Sequence, residues 1–124
     1  MLDGFSCKSL SKQNNFAQAF TDRDSKSGEG FAAMMDYVDY ARPQVVVTEN
    51  VGTLAHRRKK FEEVPIDIQQ EAFLRRGYRG WYQVLTSNKF GLSQSRTRVW
   101  AIYIRCTDTD WLVCLGFDFF FQVH

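Results

Sequence analysis

A chain of 124 residues holds one domain at most, with a modest core. Its composition, 44% hydrophobic and 24% charged, is ordinary for a soluble globular protein. The formal charge of +2 neither demonstrates nor opposes a nucleic-acid partner. No apolar run approaches the roughly 20 residues of a membrane span, so no membrane partner is expected. Met1 leads straight into polar, loop-like sequence without a secretory signal. Three cysteines, Cys7, Cys106 and Cys114, form no C-x-x-C pair, and only His56 and His124 could join them. A zinc site, which takes about four such ligands, is therefore not expected. Reduced thiols in an intracellular compartment are the expectation, with Cys106 and Cys114 serving as small hydrophobes.

The stretch from Gly4 to Gly30 is rich in Ser, Lys, Gln, Asn and Gly and has no clear period. A structureless run beyond about 15 residues in a compact domain is either functional or disordered, and both readings stay open. From Phe31 the pattern becomes helical. Phe31, Met34, Met35 and Val38 fall at i, i+3, i+4 and i+7 and define one apolar face. Ser27 or Gly28 is expected to cap this helix, with Glu29 in its first turn and Arg42-Pro43 closing it.

The β-branched run Gln44-Val45-Val46-Val47-Thr48 reads as a buried strand of a mostly parallel sheet. Its end would deliver Glu49 and Asn50 to the edge where open α/β sheets bind ligands. A second helix is expected from about Pro65 to Arg76, with Ile68 paired to Ala72, the arginines in its last turn and Gly77 beyond it. Trp81 to Leu85 and Val99 to Ile104 read as two further strands. The loop between them carries Gln94, Arg96 and Arg98. Helices alternating with strands predict an α/β layer fold. The tail from Trp111 to Phe121 is apolar and β-prone. It is read as an added edge strand or as an accident of where the coding sequence was cut.

Three short motifs carry chemistry: Gly4-Phe5-Ser6-Cys7-Lys8-Ser9-Leu10-Ser11, Glu49-Asn50-Val51 and Gln94-Ser95-Arg96-Thr97-Arg98. A thiol, a carboxylate and paired guanidiniums suit a base-modifying site. Their order and spacing resemble the cytosine-5 DNA methyltransferase family, whose signatures are Pro-Cys-Gln, Glu-Asn-Val and Gln-x-Arg-x-Arg. The last two stand here unchanged. The resemblance runs from Gly4 to about Arg105, so residues 1–106 are expected to form a partial catalytic domain and 107–124 a tail outside it. It implies a partial Rossmann-like fold of S-adenosylmethionine-dependent methyltransferases that lacks the N-terminal cofactor-binding strands.

The resemblance also implies roles. Cys7 would be the nucleophile that adds to carbon 6 of a cytosine, since a thiolate is strongly nucleophilic and later leaves well. Glu49 would share a proton with ring nitrogen 3. Arg96 and Arg98 would donate to the exocyclic oxygen, with Asn50, Gln94 and Ser6 in support. Ser6 replaces the family's proline and loses its backbone rigidity. Lys8 replaces the glutamine, and is read either as an aid to the thiolate, as a phosphate contact or as a solvated lysine. The basic run His56, Arg57, Arg58, Lys59 and Lys60 is read as phosphate-contacting, as a nuclear-targeting patch in a eukaryotic cell, or as a solvated face. His56 is not expected to act as a base.

The implied cofactor is S-adenosylmethionine, but its glycine-rich turn belongs upstream of the Cys motif. Gly28-Glu29-Gly30 does not replace it, because it lacks a third glycine and follows no strand. The implied partner is DNA. A tRNA cytosine methylated by the same residue set, or a non-catalytic remnant that binds nucleic acid, are the alternatives.

Overall fold

The structure, a computed structural model, describes residues 1–4, 26–56, 64–91 and 93–106. In chain order the elements are strand β1 (Leu2–Asp3), helix α1 (Lys26–Ala41), strand β2 (Val45–Val51), helix α2 (Pro65–Leu74), strand β3 (Tyr78–Thr86) and strand β4 (Thr97–Arg105). Short 3-10 turns at Gly52–Ala55 and Ser87–Phe90 follow β2 and β3.

Helix α1 buries Phe31, Met34, Met35 and Val38, the face expected from their spacing. It begins at Lys26, however, so Ser27 and Gly28 lie inside the helix instead of capping it. Glycine costs helix stability, but burial of Gly28 against the core outweighs that weak local preference. The helix stops where Arg42 takes a left-handed φ of 46° and its N–H returns to the Val38 carbonyl at 2.9 Å. Pro43 then blocks continuation.

Helix α2 opens with Pro65 at its first position and ends at Leu74, slightly earlier than expected. Arg75 and Arg76 fall in the closing turn, and Gly77 occupies the left-handed position with φ 81°. Arg76 donates to both carboxylate oxygens of Asp39, from Nε at 2.7 Å and from Nη2 at 2.9 Å, which ties the end of α2 to α1. Those hydrogen bonds hold the Asp39 carboxyl below its ordinary range.

The four strands run in the order β1-β2-β4-β3. Only β1 and β2 are parallel; β4 pairs antiparallel with both β2 and β3. The expected mostly parallel sheet is thus corrected among the described residues. An unbroken β-branched run shows that a strand is buried, whereas direction depends on the connections, and here a β3–β4 hairpin inserts β4 beside β2. β2 also extends to Val51, so Glu49 and Asn50 stand within the strand instead of just past it.

The core lies on the face formed by Val46, Thr48 and Asn50 of β2 and Val99, Ala101 and Tyr103 of β4. Phe73 of α2 stacks on the Tyr103 ring at 3.8 Å between centroids and meets Tyr78 edge-on at 5.6 Å. Tyr103 can lie flat because Gly80, its cross-strand partner, has no side chain; a Cβ there would come within 2.3 Å of the ring. Each such aromatic removes enough apolar surface from water to contribute roughly 1.5–3 kcal/mol. Among the described residues no helix is long and apolar enough to cross a membrane.

Candidate active site

The alternation along β2 sorts its side chains. Val46, Thr48 and Asn50 point into the core, and Glu49 points to the opposite, half-exposed face. The register sets Glu49 opposite Trp100 and Val51 opposite Arg98. Arg98 therefore lies diagonally across from Glu49, and its Nε sits 2.8 Å from Glu49 Oε1. Both side chains keep about a quarter to a third of their surface in water, at 25% and 30%. Exposed pairs contribute about 0.2–1 kcal/mol, so this contact matters more for orientation than for stability. Arg98 Nη1 also donates to its neighbour's carbonyl, Thr97 O, at 2.9 Å. Together these contacts fix the guanidinium from two sides.

Gly4 closes on this pair from the start of the chain. A Cβ at Gly4 would lie 3.7 Å from the Glu49 carbonyl oxygen and 3.9 Å from Glu49 Oε2. The parallel pairing of Leu2 with Val47 and Asp3 with Thr48 brings Gly4 there. Cys7 follows three residues later, which spans at most about 11 Å of chain. Cys7 itself, Ser6, Lys8, Arg57, Arg58, Lys59, Lys60 and the residue 107–124 tail lie outside the described residues.

The remaining expected residues separate. Asn50 is buried, and its Oδ1 accepts from the Val51 N–H at 2.8 Å, on the face away from Glu49. Gln94 and Arg96 are exposed in the loop before β4 and are not brought to Glu49. Ser87 organises that loop. Its N–H donates to Arg96 O at 3.1 Å, its hydroxyl donates to Gln94 O, and Arg96 N–H donates back to Ser87 Oγ at 2.9 Å. Thr97, between the two arginines, shares a hydroxyl contact of 3.1 Å with Thr86. Its methyl fills the place of the absent Gly52 side chain, 2.7 Å from where a Cβ would stand. Sequence reasoning assigned Gly4 and Thr97 no role within their motifs and did not single out Gly52, Thr86 or Ser87. Only the glycines beside two motifs gave a sign, since each marks close backbone approach.

His56 is exposed at the end of the turn after β2. Cys106 stands in a disulfide, contrary to the expected reduced thiols. An odd cysteine count does not forbid one pair among three. Among the described residues no group of three or more His, Cys, Asp or Glu could hold a metal ion.

The described residues do not form a cradle for S-adenosylmethionine. Gly28 and Gly30 are inside α1, Gly52 is filled by Thr97, and Gly91 closes an exposed turn. None makes the open glycine-rich turn after a strand that lets a backbone approach a nucleotide.

Comparison with known proteins places the fold among methyltransferases. The family model for C-5 cytosine-specific DNA methylase matches residues 1–112. The chain belongs to that family. Type II methyltransferase M.Bsp6I of Bacillus sp. (strain RFL6) is 32% identical over 106 residues, covering 85% of this chain and 32% of its own. The crystal structure of S. pombe Dnmt2 methyltransferase superposes with a TM-score of 0.57 at 15% identity, covering 83% of this chain and 27% of that one. The Entamoeba histolytica methyltransferase EhMeth gives 0.62 at 15% identity, covering 86% and 32%. At that identity the two structures establish the fold alone. The chain spans about a third of the length of these relatives.

Proposed function

We propose that these residues form the base-activating part of a DNA cytosine-5 methyltransferase. The observation that supports this reading is the Glu49–Arg98 ion pair with Gly4, three residues before Cys7, against the same carboxylate. Carbon 5 of cytosine is a weak nucleophile inside the aromatic ring, and a base within a duplex must first leave the stack to be reached. The Cys7 thiolate forms a bond from sulfur to carbon 6. The electron pair of the 5,6 double bond then makes carbon 5 nucleophilic, while Glu49 holds a proton at ring nitrogen 3. Arg98, held by Glu49 and by the Thr97 carbonyl, offers its N–H groups to the exocyclic oxygen, where negative charge builds. Loss of the carbon 5 proton and departure of the Cys7 sulfur restore the double bond.

In this reading Asn50 braces the strand end, Gln94 shapes the loop, Arg96 closes on the bound base, and Ser6 and Lys8 flank the nucleophile. Arg57, Arg58, Lys59 and Lys60 contact phosphates. S-adenosylmethionine would supply the electrophilic methyl group. Its binding and transfer are assigned to none of the described residues.

The test is a covalent trap. A duplex carrying 5-fluorocytosine, presented under reducing conditions with the methyl donor to the longest native polypeptide holding this chain, becomes attached at Cys7. Fluorine at carbon 5 cannot leave as a proton does, so the adduct persists. Cys7→Ser abolishes attachment. Adducts on Cys106 or Cys114 would overturn the assignment, and a fluorinated tRNA trapped in place of the duplex would move the substrate from DNA to RNA.

A further inference from the structure

The Cys106 disulfide takes no part in the mechanism above, and the fold limits which cysteine can complete it. Within the chain only Cys7 and Cys114 could supply the second sulfur. Cys106 continues β4 by one residue, its N–H donating to the Gly77 carbonyl at 2.9 Å beside the Tyr78–Arg105 pair. The Arg105 N–H donates to Gln44 O at 2.9 Å, just before the start of β2. Cys106 therefore stands at the end of the sheet opposite to Glu49 and Arg98.

Gly4 limits where Cys7 can be. It follows the Leu2–Val47 and Asp3–Thr48 pairs and lies against Glu49, the cross-strand partner of Trp100. From the level of Trp100 to Cys106 the strand advances roughly 20 Å, at about 3.3 Å per residue. Gly4 also lies two strands across from β4, roughly 10 Å, so it is roughly 22 Å from Cys106. The chain from Gly4 to Cys7 covers at most about 11 Å. Even aimed straight back, Cys7 would stay about 11 Å away, whereas a disulfide needs its Cα atoms within about 7 Å. Cys114 meets no such limit, because it is tethered to Cys106 through residues 107–113 alone. A loop of that length closes at modest entropic cost.

We propose that the disulfide joins Cys106 to Cys114, closing residues 107–113 into a loop at the end of the sheet far from Glu49 and Arg98 and leaving Cys7 a thiol. The bond forms by exchange with a low-molecular-weight disulfide such as glutathione disulfide. One cysteine thiolate attacks it and releases a small thiolate, and the second cysteine thiolate attacks the mixed disulfide and releases the other. The two protein sulfurs lose two electrons, which leave on the two small thiols together with the two protons. Oxidation is thereby confined to the anchor of the tail. That it spares a nucleophile rests on the function proposed above, while the pairing does not.

Peptide mapping of the full chain is the test. The protein is equilibrated with glutathione and glutathione disulfide, alkylated with iodoacetamide and digested without reduction. Trypsin with a protease that cuts before aspartate separates the two cysteines, since Asp108 and Asp110 lie between them. Mass spectrometry is expected to find the Cys106 peptide linked to the Cys114 peptide, with Cys7 alkylated. Cys114→Ser frees Cys106 for alkylation, and Cys7→Ser keeps the link. A Cys7–Cys106 peptide overturns the proposal. So does a link between two copies on a non-reducing gel, or an alkylated Cys106 in the unmutated oxidised chain. In the native polypeptide, trapping of 5-fluorocytosine at Cys7 proceeds at the same rate in the oxidising buffer as under reducing conditions. Trapping lost only on oxidation would place Cys7 in the disulfide and overturn the proposal too. Trapping absent from both would instead count against the function proposed above and leave the peptide map to decide this one.

Discussion

Glu49 on β2 and Arg98 on β4 meet through a diagonal of the antiparallel ladder, with Nε and Oε1 2.8 Å apart. The pair joins two motifs that lie far apart in the chain. In the function proposed above, Glu49 shares a proton with the ring nitrogen of the attacked cytosine.

Glu49→Gln keeps the shape of the side chain and an acceptor for Arg98 while removing the charge and the transferable proton. Turnover in the native polypeptide is expected to fall about 10²-fold or more, the usual contribution of a positioned general acid. Duplex affinity should change far less, because phosphate contacts dominate it. Steady-state methylation together with a filter-binding titration checks both. Normal turnover with lost DNA binding would make Glu49 structural.

Gly52→Ala tests how tightly the ends of β2 and β4 are pressed together. The new methyl would stand 2.7 Å from Thr97 Cγ2, and Thr97 cannot swing aside without losing its contact to Thr86. Overpacking of this kind costs about 1–3 kcal/mol. Adding Thr97→Ser, which deletes the obstructing methyl and keeps the hydroxyl, should recover most of it. Urea unfolding of the single and double variants measures the difference, and additive losses would disprove the clash.

Acid should weaken the join between α1 and α2. Arg76 lowers the folded-state pKa of Asp39 through its hydrogen bonds. The stabilisation is thus present above the unfolded carboxyl pKa of about 3.9 and is lost as pH falls through the lower folded value. Asp39 is half exposed at 49%, so solvent screening limits the effect to about 0.5 kcal/mol. Asp39→Asn should lower stability at pH 7 by that amount and leave it unchanged near pH 2. A variant that loses as much at pH 2 would show that the aspartate acts through packing.

Among the described residues no glycine-rich turn open to a nucleotide follows a strand: Gly28 and Gly30 lie inside α1, Gly52 is packed against Thr97, and Gly77 and Gly91 close turns. The isolated polypeptide is therefore expected neither to bind S-adenosylmethionine tightly nor to methylate DNA. Calorimetry on monodisperse protein checks this, and micromolar binding by these residues alone would refute it.

The sequence by itself determined the local elements and the family. Apolar spacing marked the buried face of α1, Pro65 and Gly77 bracketed α2, and β-branched runs marked the strands, because these signals depend only on neighbours in the chain. Glu49-Asn50-Val51 and Gln94 to Arg98 were legible for the same reason. Helix starts were read less well, since burial of Gly28 overrides its weak propensity. Only the tertiary structure decided that β4 lies antiparallel beside β2, that Arg98 and not Arg96 meets Glu49, and that Asn50 turns inward. It also brought Gly4 to the carboxylate. Those relationships depend on strand order and register, which arise from packing between distant segments and leave no mark in local spacing.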